Sequence, residues 1–216
     1  SIDRLLEVAH EEQLAAGQRL ARQGLDQLDL QRIGVLKLID EHQRGLLGQC
    51  LAKRHELGLL SNFAATPFTY RGRRYASVEG FWQAMLYPEG PDDPRARFPG
   101  LEWPHARDEV AAMTAFEAKR AGEAAERNLR TMGIGWVSFE GRRFPYRSAR
   151  PGEHHRLVLA AMREKLRQNP EVRRVLLATG DLVLRPDHVQ EADAPPEWRY
   201  CEIWMRLRGE LRRQGR

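Results

Sequence analysis

The stretch SNFAATPFTYRGRRYASVEGFWQAMLYPEG, residues 61–90, contains two local patterns that organise the rest of the chain. Aromatic and polar residues alternate on both sides of Arg71-Gly72, a pattern typical of a short β-hairpin. Ser77 is a good N-cap, so a helix is predicted from about residue 78 to 87, where Pro88 stops it. A hairpin followed directly by a helix indicates an α+β domain.

The remainder of the chain is predicted to be mainly helical, with one more short antiparallel pair. Apolar residues recur at helical spacing near the N-terminus, over about 1–23 and 29–53. Further along we expect helices at about 107–130, 153–168, 171–179 and 198–213, a second hairpin at 136–148 turning at Glu140-Gly141, a loop at 88–104, and an extended piece followed by a loop at 181–197. The predicted fold class is therefore α+β, mainly helical, with short antiparallel strands.

Composition permits many partners but excludes a membrane protein. The 216 residues are 42% hydrophobic and 30% charged, with a formal net charge of +5. No run of about 20 apolar residues is present, and the opening segment is amphipathic and acidic, so we expect a cytoplasmic protein with no membrane partner. Cys50 and Cys201 are predicted to be buried thiols. The positive charge allows phosphate or nucleic-acid partners without establishing them.

The sequence lacks the patterns of several common active sites. His154 and His155 are adjacent, and neighbouring residues on a helix point about 100° apart. No cysteine or histidine spacing matches a zinc site, and the GxSxG, P-loop and GxGxxG motifs are missing. We therefore expect a site without a metal and without a cofactor.

Glu79 and Gln83 are four positions apart, which places them on one face of the predicted helix. One interpretation is structural, because the macrodipole stabilises an acid in the first turn by about 0.3–1 kcal/mol. The other is chemical, because a carboxyl group beside Phe81 and Trp82 has a raised pKa and exchanges a proton near neutral pH. Gly80 is expected to keep this helix face open to a ligand. Taken alone, the pair favours the structural interpretation.

The order of motifs along the chain resembles that of the NADAR, or YbiA-like, superfamily. The resemblance spans about residues 57–212, which leaves residues 1–56 as a helical N-terminal extension and residues 57–216 as a NADAR-like domain. The motifs that carry it are Ser61-Asn62-Phe63, Pro67, the Arg71-Gly72 turn, Glu79 with Gln83, AKRAG at 118–122, Tyr146-Arg147-Ser148, His154-His155, Lys165, Asn169 and LLATG at 176–180.

This resemblance implies a metal-independent N-glycosidase, or ADP-ribosyl glycohydrolase. Its substrate would be a ribosylated or ADP-ribosylated base, either guanine in nucleic acid or a riboflavin-pathway intermediate. Such a reaction requires an oxocarbenium-like carbon to be stabilised and a leaving base to be accommodated. The resemblance implies the following roles: Glu79 as the catalytic carboxylate, Gln83 for a ribose hydroxyl, Asn62, Phe63 and Trp82 for the base, and Arg147 for phosphate.

The chain departs from the family pattern at two places. Leu86 stands where a lysine is usual, so Lys119 is the nearest motif-borne amine, or else a solvated helix residue. The family's WGDG-type loop is also missing. Asp187, beside His188, is then the candidate second carboxylate, or else a turn former. Trp198 is either a lid aromatic or a core residue.

Two other functions stay open at this point. Leu86 favours a binding module that recognises ADP-ribose or a related nucleotide without turnover. The net charge favours a basic nucleic-acid-binding protein, in which residues 1–56 mediate dimerisation or partner docking.

Overall fold

A computed structural model describes residues 56–186, 190 and 193–214 of the chain. Within these residues the helices, strands and 3₁₀ turns follow one another in the order helix, hairpin, helices, hairpin, helices. The bounds are α1 Val78–Ala84, α2 Arg107–Ala111, α3 Ala115–Thr131, α4 Glu153–Gln168, α5 Pro170–Ala178 and α6 Tyr200–Gln214; β1 Phe68–Tyr70, β2 Arg73–Tyr75, β3 Trp136–Phe139 and β4 Arg142–Pro145; and 3₁₀ turns Glu56–Leu60 and Pro196–Trp198. The predicted α+β class is confirmed.

Both predicted hairpins are present as separate two-stranded antiparallel sheets. The β1–β2 pair turns at Arg71-Gly72, whose φ angles are 48° and 77°, and the β3–β4 pair turns at Glu140-Gly141, with φ of 50° and 74°. Two consecutive residues with positive φ form the turn that matches the right-handed twist of the flanking strands. The glycine in each turn adopts this conformation without steric cost, which explains why both turns were recognisable in the sequence.

The prediction of one helix over 107–130 is wrong, because the chain opens between α2 and α3. Two carbonyl groups at this break bond outside the helix. The Ala111 carbonyl accepts a hydrogen bond from the Ala76 amide at 3.0 Å, and the Met113 carbonyl accepts one from the Ser77 hydroxyl at 3.0 Å. A continuous helix would need these carbonyls for its own ladder, so docking against the start of α1 interrupts it.

Helix α1 is shorter than predicted and ends at Ala84. Residues 85–87 continue with bonds to the residue three positions back, a tighter turn than the α-helix. The freed carbonyls are capped from the loop at 88–106, since the buried Arg95 guanidinium donates to the Met85 and Leu86 carbonyls at 3.1 and 3.2 Å. The loop predicted after Pro88 is therefore anchored at the C-terminal end of α1.

The remaining helices lie close to their predicted positions and enclose the core. Asn169 separates α4 from α5, and Gly180 follows α5 with φ of 52°, as expected of a helix stop. Along α6, Ile203, Trp204 and Leu207 are buried and Leu211 is partly buried.

The N-terminal predictions fall outside the described residues. These are the helical segments at 1–23 and 29–53, the thiol of Cys50 and any oligomer contact through residues 1–56. The boundary after residue 56 stays a prediction. In the part of the chain that the structure describes, Cys201 is buried in α6, and no helix is long and apolar enough to cross a bilayer.

Candidate active site around Glu79

The loop at residues 60–63, here the SNF loop, is held by four helices at once. Each of its carbonyl groups accepts a hydrogen bond from a different helix. The donors are Trp204 Nε1 of α6 to Leu60 at 2.6 Å, Lys165 Nζ of α4 to Ser61 at 2.7 Å, the Glu79 amide of α1 to Asn62 at 2.9 Å, and the Ala115 amide of α3 to Phe63 at 3.2 Å. The Asn62 and Phe63 side chains are thus positioned by the scaffold before any ligand binds.

Glu79 lies in the first turn of α1, next to this loop. Ser77 caps the helix as predicted, its hydroxyl accepting a hydrogen bond from the Gly80 amide at 2.9 Å. The Glu79 residue is only 8% exposed. Burial raises the pKa of the Glu79 carboxyl, and the hydrogen bond from Gln83 and the charge of Lys119 oppose this rise. The carboxyl therefore keeps its proton to a higher pH than an exposed glutamate does.

Gln83 contacts Glu79 as the four-residue spacing predicts. Its Nε2 atom donates to Glu79 Oε1 at 2.8 Å. The rest of the Gln83 amide lies against Gly122 of α3, where an added Cβ would be 1.8 Å from Gln83 Oε1. Glycine at position 122 thus leaves room for the Gln83 amide, which would have to move if a Cβ were added. Gln83 Oε1 is itself buried without a hydrogen-bond partner among the described residues, as is Asn62 Oδ1.

The expected open face at Gly80 is not observed. A Cβ at this position would lie 2.5 Å from the Met113 carbonyl oxygen and 3.0 Å from that of Val110. Gly80 therefore allows the α2–α3 junction to pack directly on α1 and leaves no room for a ligand there. The Gly80 face is therefore excluded, and the candidate ligand-facing side of α1 is the one that carries Glu79 and Gln83.

Helix α3 contributes one face to the site. Lys119, Gly122 and Glu126 follow at intervals of three and four residues, which places them on the same side of the helix. Lys119 is exposed, yet its charge lowers the pKa of Glu79, so its ammonium lies on the Glu79 side of α3. The predicted AKRAG motif thus meets the predicted Glu79–Gln83 pair in space.

Trp82 forms a wall beside this pair. Its indole nitrogen donates to Tyr146 Oη at 3.4 Å, and Tyr146 Oη donates to Glu126 Oε1 at 2.9 Å. Burial and the nearby Glu126 charge raise the pKa of the Tyr146 hydroxyl, which keeps it a hydrogen-bond donor. Trp82 is 7% exposed. Its contacts with Tyr146 and with the ring of His154 favour a structural wall over the base-binding role that the resemblance implies.

Arg147 and Trp198 lie together at the exposed end of this wall. The Arg147 guanidinium lies 4.6 Å from the centre of the Trp198 ring, and its Nη2 atom is 3.9 Å from Glu126 Oε2. The Arg147 side chain is 56% exposed. An exposed guanidinium fixed on an aromatic ring suits the bidentate binding of a phosphate group.

A second buried glutamate lies close to this wall. His154 packs edge to face on Trp82, with 5.0 Å between ring centres. Its Nδ1 atom is 2.9 Å from the Tyr146 carbonyl and 3.4 Å from Glu197 Oε1. Because both neighbours are acceptors, Nδ1 carries a proton. Glu197 is fully buried, and neither of its carboxylate oxygens has a hydrogen-bond partner among the described residues.

Asp187 and Leu86 mark the two places where the sequence departs from the NADAR pattern. Asp187 and its neighbour His188 lie outside the described residues, so the second carboxylate stays a prediction. Leu86, which stands where the NADAR pattern has a lysine, is fully buried in the core. Among the residues described, no group of three or more histidine, cysteine, aspartate or glutamate side chains is arranged to hold a metal ion.

Sequence reasoning missed Glu126 and the role of Lys165. Glu126 follows Gly122 by four residues, so helical spacing from the AKRAG motif was a usable signal. Lys165 follows Ala161 by four and Val158 by seven, which places it on the buried face of α4. Lysine is rarely fully buried in proteins, so residue type alone does not predict that Lys165 is buried.

Comparison with known proteins yields a remote structural likeness. No protein-family model and no curated protein matches the chain. The chain is similar to the solution structure of the E. coli protein YbiA. The sequence identity is 18%, the match covers 78% of this chain and 86% of YbiA, and the TM-score is 0.46. This similarity is too low to assign chemistry to the site, which depends on the residues described above.

Proposed function

We propose that this protein hydrolyses the N-glycosidic bond of a ribosylated or ADP-ribosylated base. The observation that carries the proposal is the Glu79 carboxyl group. It is 8% exposed, has a raised pKa and receives a hydrogen bond from Gln83 at 2.8 Å. A carboxyl group that keeps its proton to a higher pH than an exposed glutamate suits the donation of a proton to a poor nitrogen leaving group.

In the proposed reaction, the bond between ribose C1′ and the base nitrogen breaks, and its electron pair stays on the nitrogen. The Glu79 carboxyl gives its proton to the departing base. The carbon passes through an oxocarbenium-like state, which the resulting carboxylate stabilises. Water then adds its oxygen to C1′ and returns a proton to Glu79. No other reactant is required.

The neighbouring side chains support binding roles for this substrate. Gln83 is positioned for a ribose hydroxyl, and Asn62 and Phe63 are presented by the SNF loop toward the base. Arg147, stacked on Trp198, suits a phosphate group. Asp187 and Lys119 stay proposals as assisting catalytic groups.

The test is release of the base or of ADP-ribose by purified full-length chain. Two substrates are offered separately, ADP-ribosylated guanine in an oligonucleotide and a ribosylated pyrimidine intermediate of the riboflavin pathway. Glu79→Gln removes the acid and keeps the shape of the side chain. We expect it to lower turnover at least about 100-fold, since a positioned acid contributes roughly that much or more.

The matched control is Glu171→Gln. Glu171 is also a glutamate in the first turn of a helix, α5, but it is exposed and pairs with Arg174. If Glu79 only stabilises a helix start, the two variants will behave alike. Equal turnover in wild type and Glu79→Gln would remove the catalytic assignment.

A second candidate function is a binding module for ADP-ribose or a related nucleotide. The observation that favours it is Leu86, whose buried side chain supplies no amine where the family usually has a lysine. Tight ADP-ribose binding without release from either substrate would support this function and exclude the hydrolase.

A further inference from the structure

Phe116 is a large apolar side chain left open to solvent at the candidate site. It is 56% exposed, the highest value among the exposed large hydrophobic residues of the described chain. It lies in the first turn of α3, three residues before Lys119, so both side chains share one side of the helix. Single exposed phenylalanines are common on protein surfaces, so what sets Phe116 apart is how its ring is held and which charge lies beside it.

The Phe116 ring is fixed in position. Its edge-to-face partner is Phe63, with ring centres 5.2 Å apart and an angle of 81° between the planes. The residue before it, Ala115, has φ of 49°, and its amide donates to the Phe63 carbonyl at 3.2 Å. A non-glycine residue in the left-handed region is uncommon and costs energy, and such strain concentrates at functional sites.

This arrangement gives Phe63 and Phe116 different functions. Phe63 is half-buried and belongs to the SNF loop, which four helices hold. It contacts Phe116 with a geometry that supports the ring from one side. More than half of Phe116 is still open to solvent. A fixed, open aromatic face accepts a flat heteroaromatic ring of any base, because every base has a π-face.

The charges nearby restrict the occupant further. Lys119 lies one turn along α3, on the same side as Phe116, and it is exposed. A flat ring with an attached anionic group satisfies both neighbours, and a nucleotide combines the two. An apolar protein partner would satisfy Phe116 and leave an ammonium at the contact.

We propose that Phe116 stacks on the heteroaromatic base of a nucleotide, with Phe63 as its support and Lys119 as the contact for the phosphate. This inference rests on the proposed function, for which it names the residue that holds the base. Phe116 thus takes the base-binding role that the sequence had suggested for Trp82. Phe63 becomes a positioning residue that holds the stacking ring.

The experiment measures binding at equilibrium in the Glu79→Gln background, where hydrolysis does not consume the probe. The probes are GMP, ADP-ribose and a short single-stranded oligonucleotide of deoxyguanosine. We expect Phe116→Ala to weaken binding about 5- to 150-fold, the range that stacking on one aromatic residue supplies. Phe116→Trp keeps the aromatic face and should bind within about threefold of the parent.

Phe98→Ala is the control, because Phe98 is also an exposed phenylalanine, at 38%, and lies in the loop at 88–106. It should leave binding unchanged. The oligonucleotide and the free nucleotides distinguish a nucleic-acid substrate from a metabolite. Absence of binding to every probe, or equal binding by Phe116→Ala and its parent, would overturn the inference. So would a change of oligomeric state in Phe116→Ala, which would assign the ring to a protein contact.

Failure of the inference and failure of the proposed function give different results. Turnover by the wild type with full activity in Phe116→Ala would leave the hydrolase and remove the stacking ring. Binding that depends on Phe116 without turnover by the wild type would leave the ring and remove the hydrolase.

Discussion

The two buried glutamates, Glu79 and Glu197, lie in contrasting surroundings. Glu79 is 8% exposed, receives a hydrogen bond from Gln83, and lies within reach of the charge of Lys119. Glu197 is fully enclosed, and the imidazole of His154, at 3.4 Å, is its polar neighbour. The first carboxyl keeps a small residual exposure and a hydrogen-bond donor, whereas the second is fully enclosed.

The surroundings of the Glu79 carboxyl suit a catalytic role, whereas those of the Glu197 carboxyl suit a structural role. A catalytic acid has to reach its substrate, and partial exposure at a helix start permits this. A fully enclosed carboxylate with an imidazole partner instead fixes the elements that carry the pair, here α4 and the 3₁₀ turn Pro196–Trp198. We therefore expect Glu79 to control turnover and Glu197 to control stability.

The largest expected effect is on turnover, when each buried glutamate is replaced in turn by glutamine. Glu79→Gln should lower the rate at least about 100-fold, whereas Glu197→Gln should stay within about threefold of wild type, because only the first removes the proton donor. Release of base is measured under saturating substrate for both. A large loss of rate in Glu197→Gln, with the fold intact by circular dichroism, would make the enclosed carboxyl part of the catalytic machinery.

The next effect is on stability, at His154. His154→Leu leaves the Glu197 carboxylate enclosed without its imidazole and should lower the free energy of unfolding by about 3–5 kcal/mol. Glu79→Gln should change it by less than about 1 kcal/mol, since it removes a group that burial already disfavours as an anion. Urea unfolding monitors both.

The double variant His154→Leu with Glu197→Gln tests whether this loss comes from the pair. With Glu197→Gln no enclosed carboxylate is left without a partner when the imidazole is lost, so the double variant should recover part of the stability. Strictly additive losses would show that His154 contributes only its packing against Trp82.

The sequence predicted the Glu79 side of this comparison much better than the Glu197 side. Glu79, Gln83 and the AKRAG motif are recognisable because helical spacing relates residues within one helix, and the motifs come in a fixed order. The turns at Arg71-Gly72 and Glu140-Gly141 were predictable for a similar local reason, the need for positive φ.

Contacts between residues far apart in the sequence could not be predicted from local spacing. Nothing local relates Glu197 to His154, or Lys165 to the SNF loop, which is 104 positions away along the chain. The break between α2 and α3 was missed for the same cause. Ala112 and Met113 have good helical propensity, and hydrogen bonds to the Ala76 and Ser77 region override it.

A smaller effect is expected at Gly122, which allows Gln83 to lie beside Glu79. In Gly122→Ala the new Cβ would lie 1.8 Å from Gln83 Oε1, so the flexible amide has to move and its bond to Glu79 is lost. That bond lowers the pKa of Glu79, so its loss raises the pKa further. Turnover should fall about tenfold, as for a displaced positioning group, and the loss of rate at high pH should shift upward.

Gly135→Ala is the matched control, since a Cβ there meets no atom within 4 Å and the residue has no positive φ. It should leave both the rate and its pH dependence unchanged. An unshifted pH profile in Gly122→Ala would show that Gln83 keeps its contact with Glu79 by another path.

The last prediction concerns the pH dependence of stability and Lys165, whose Nζ atom donates to the Ser61 carbonyl of the SNF loop. Burial lowers the pKa of Lys165 to about 7, against an ordinary 10.5. Between these values the unfolded chain binds a proton that the folded chain does not, so wild-type stability rises with pH, by up to about 1.4 kcal/mol per pH unit. Below about pH 7 both states are protonated and this contribution is flat.

Lys165→Met lacks this titration, so its stability relative to wild type should be highest near pH 6.5 and decline toward about pH 9.5. Urea unfolding at several pH values measures the decline, with the exposed Lys119→Met as control. A constant difference over this range would mean that Lys165 stays charged in the fold. Because the neutral amine still donates to the Ser61 carbonyl, we expect the SNF loop to keep its position on both sides of the transition.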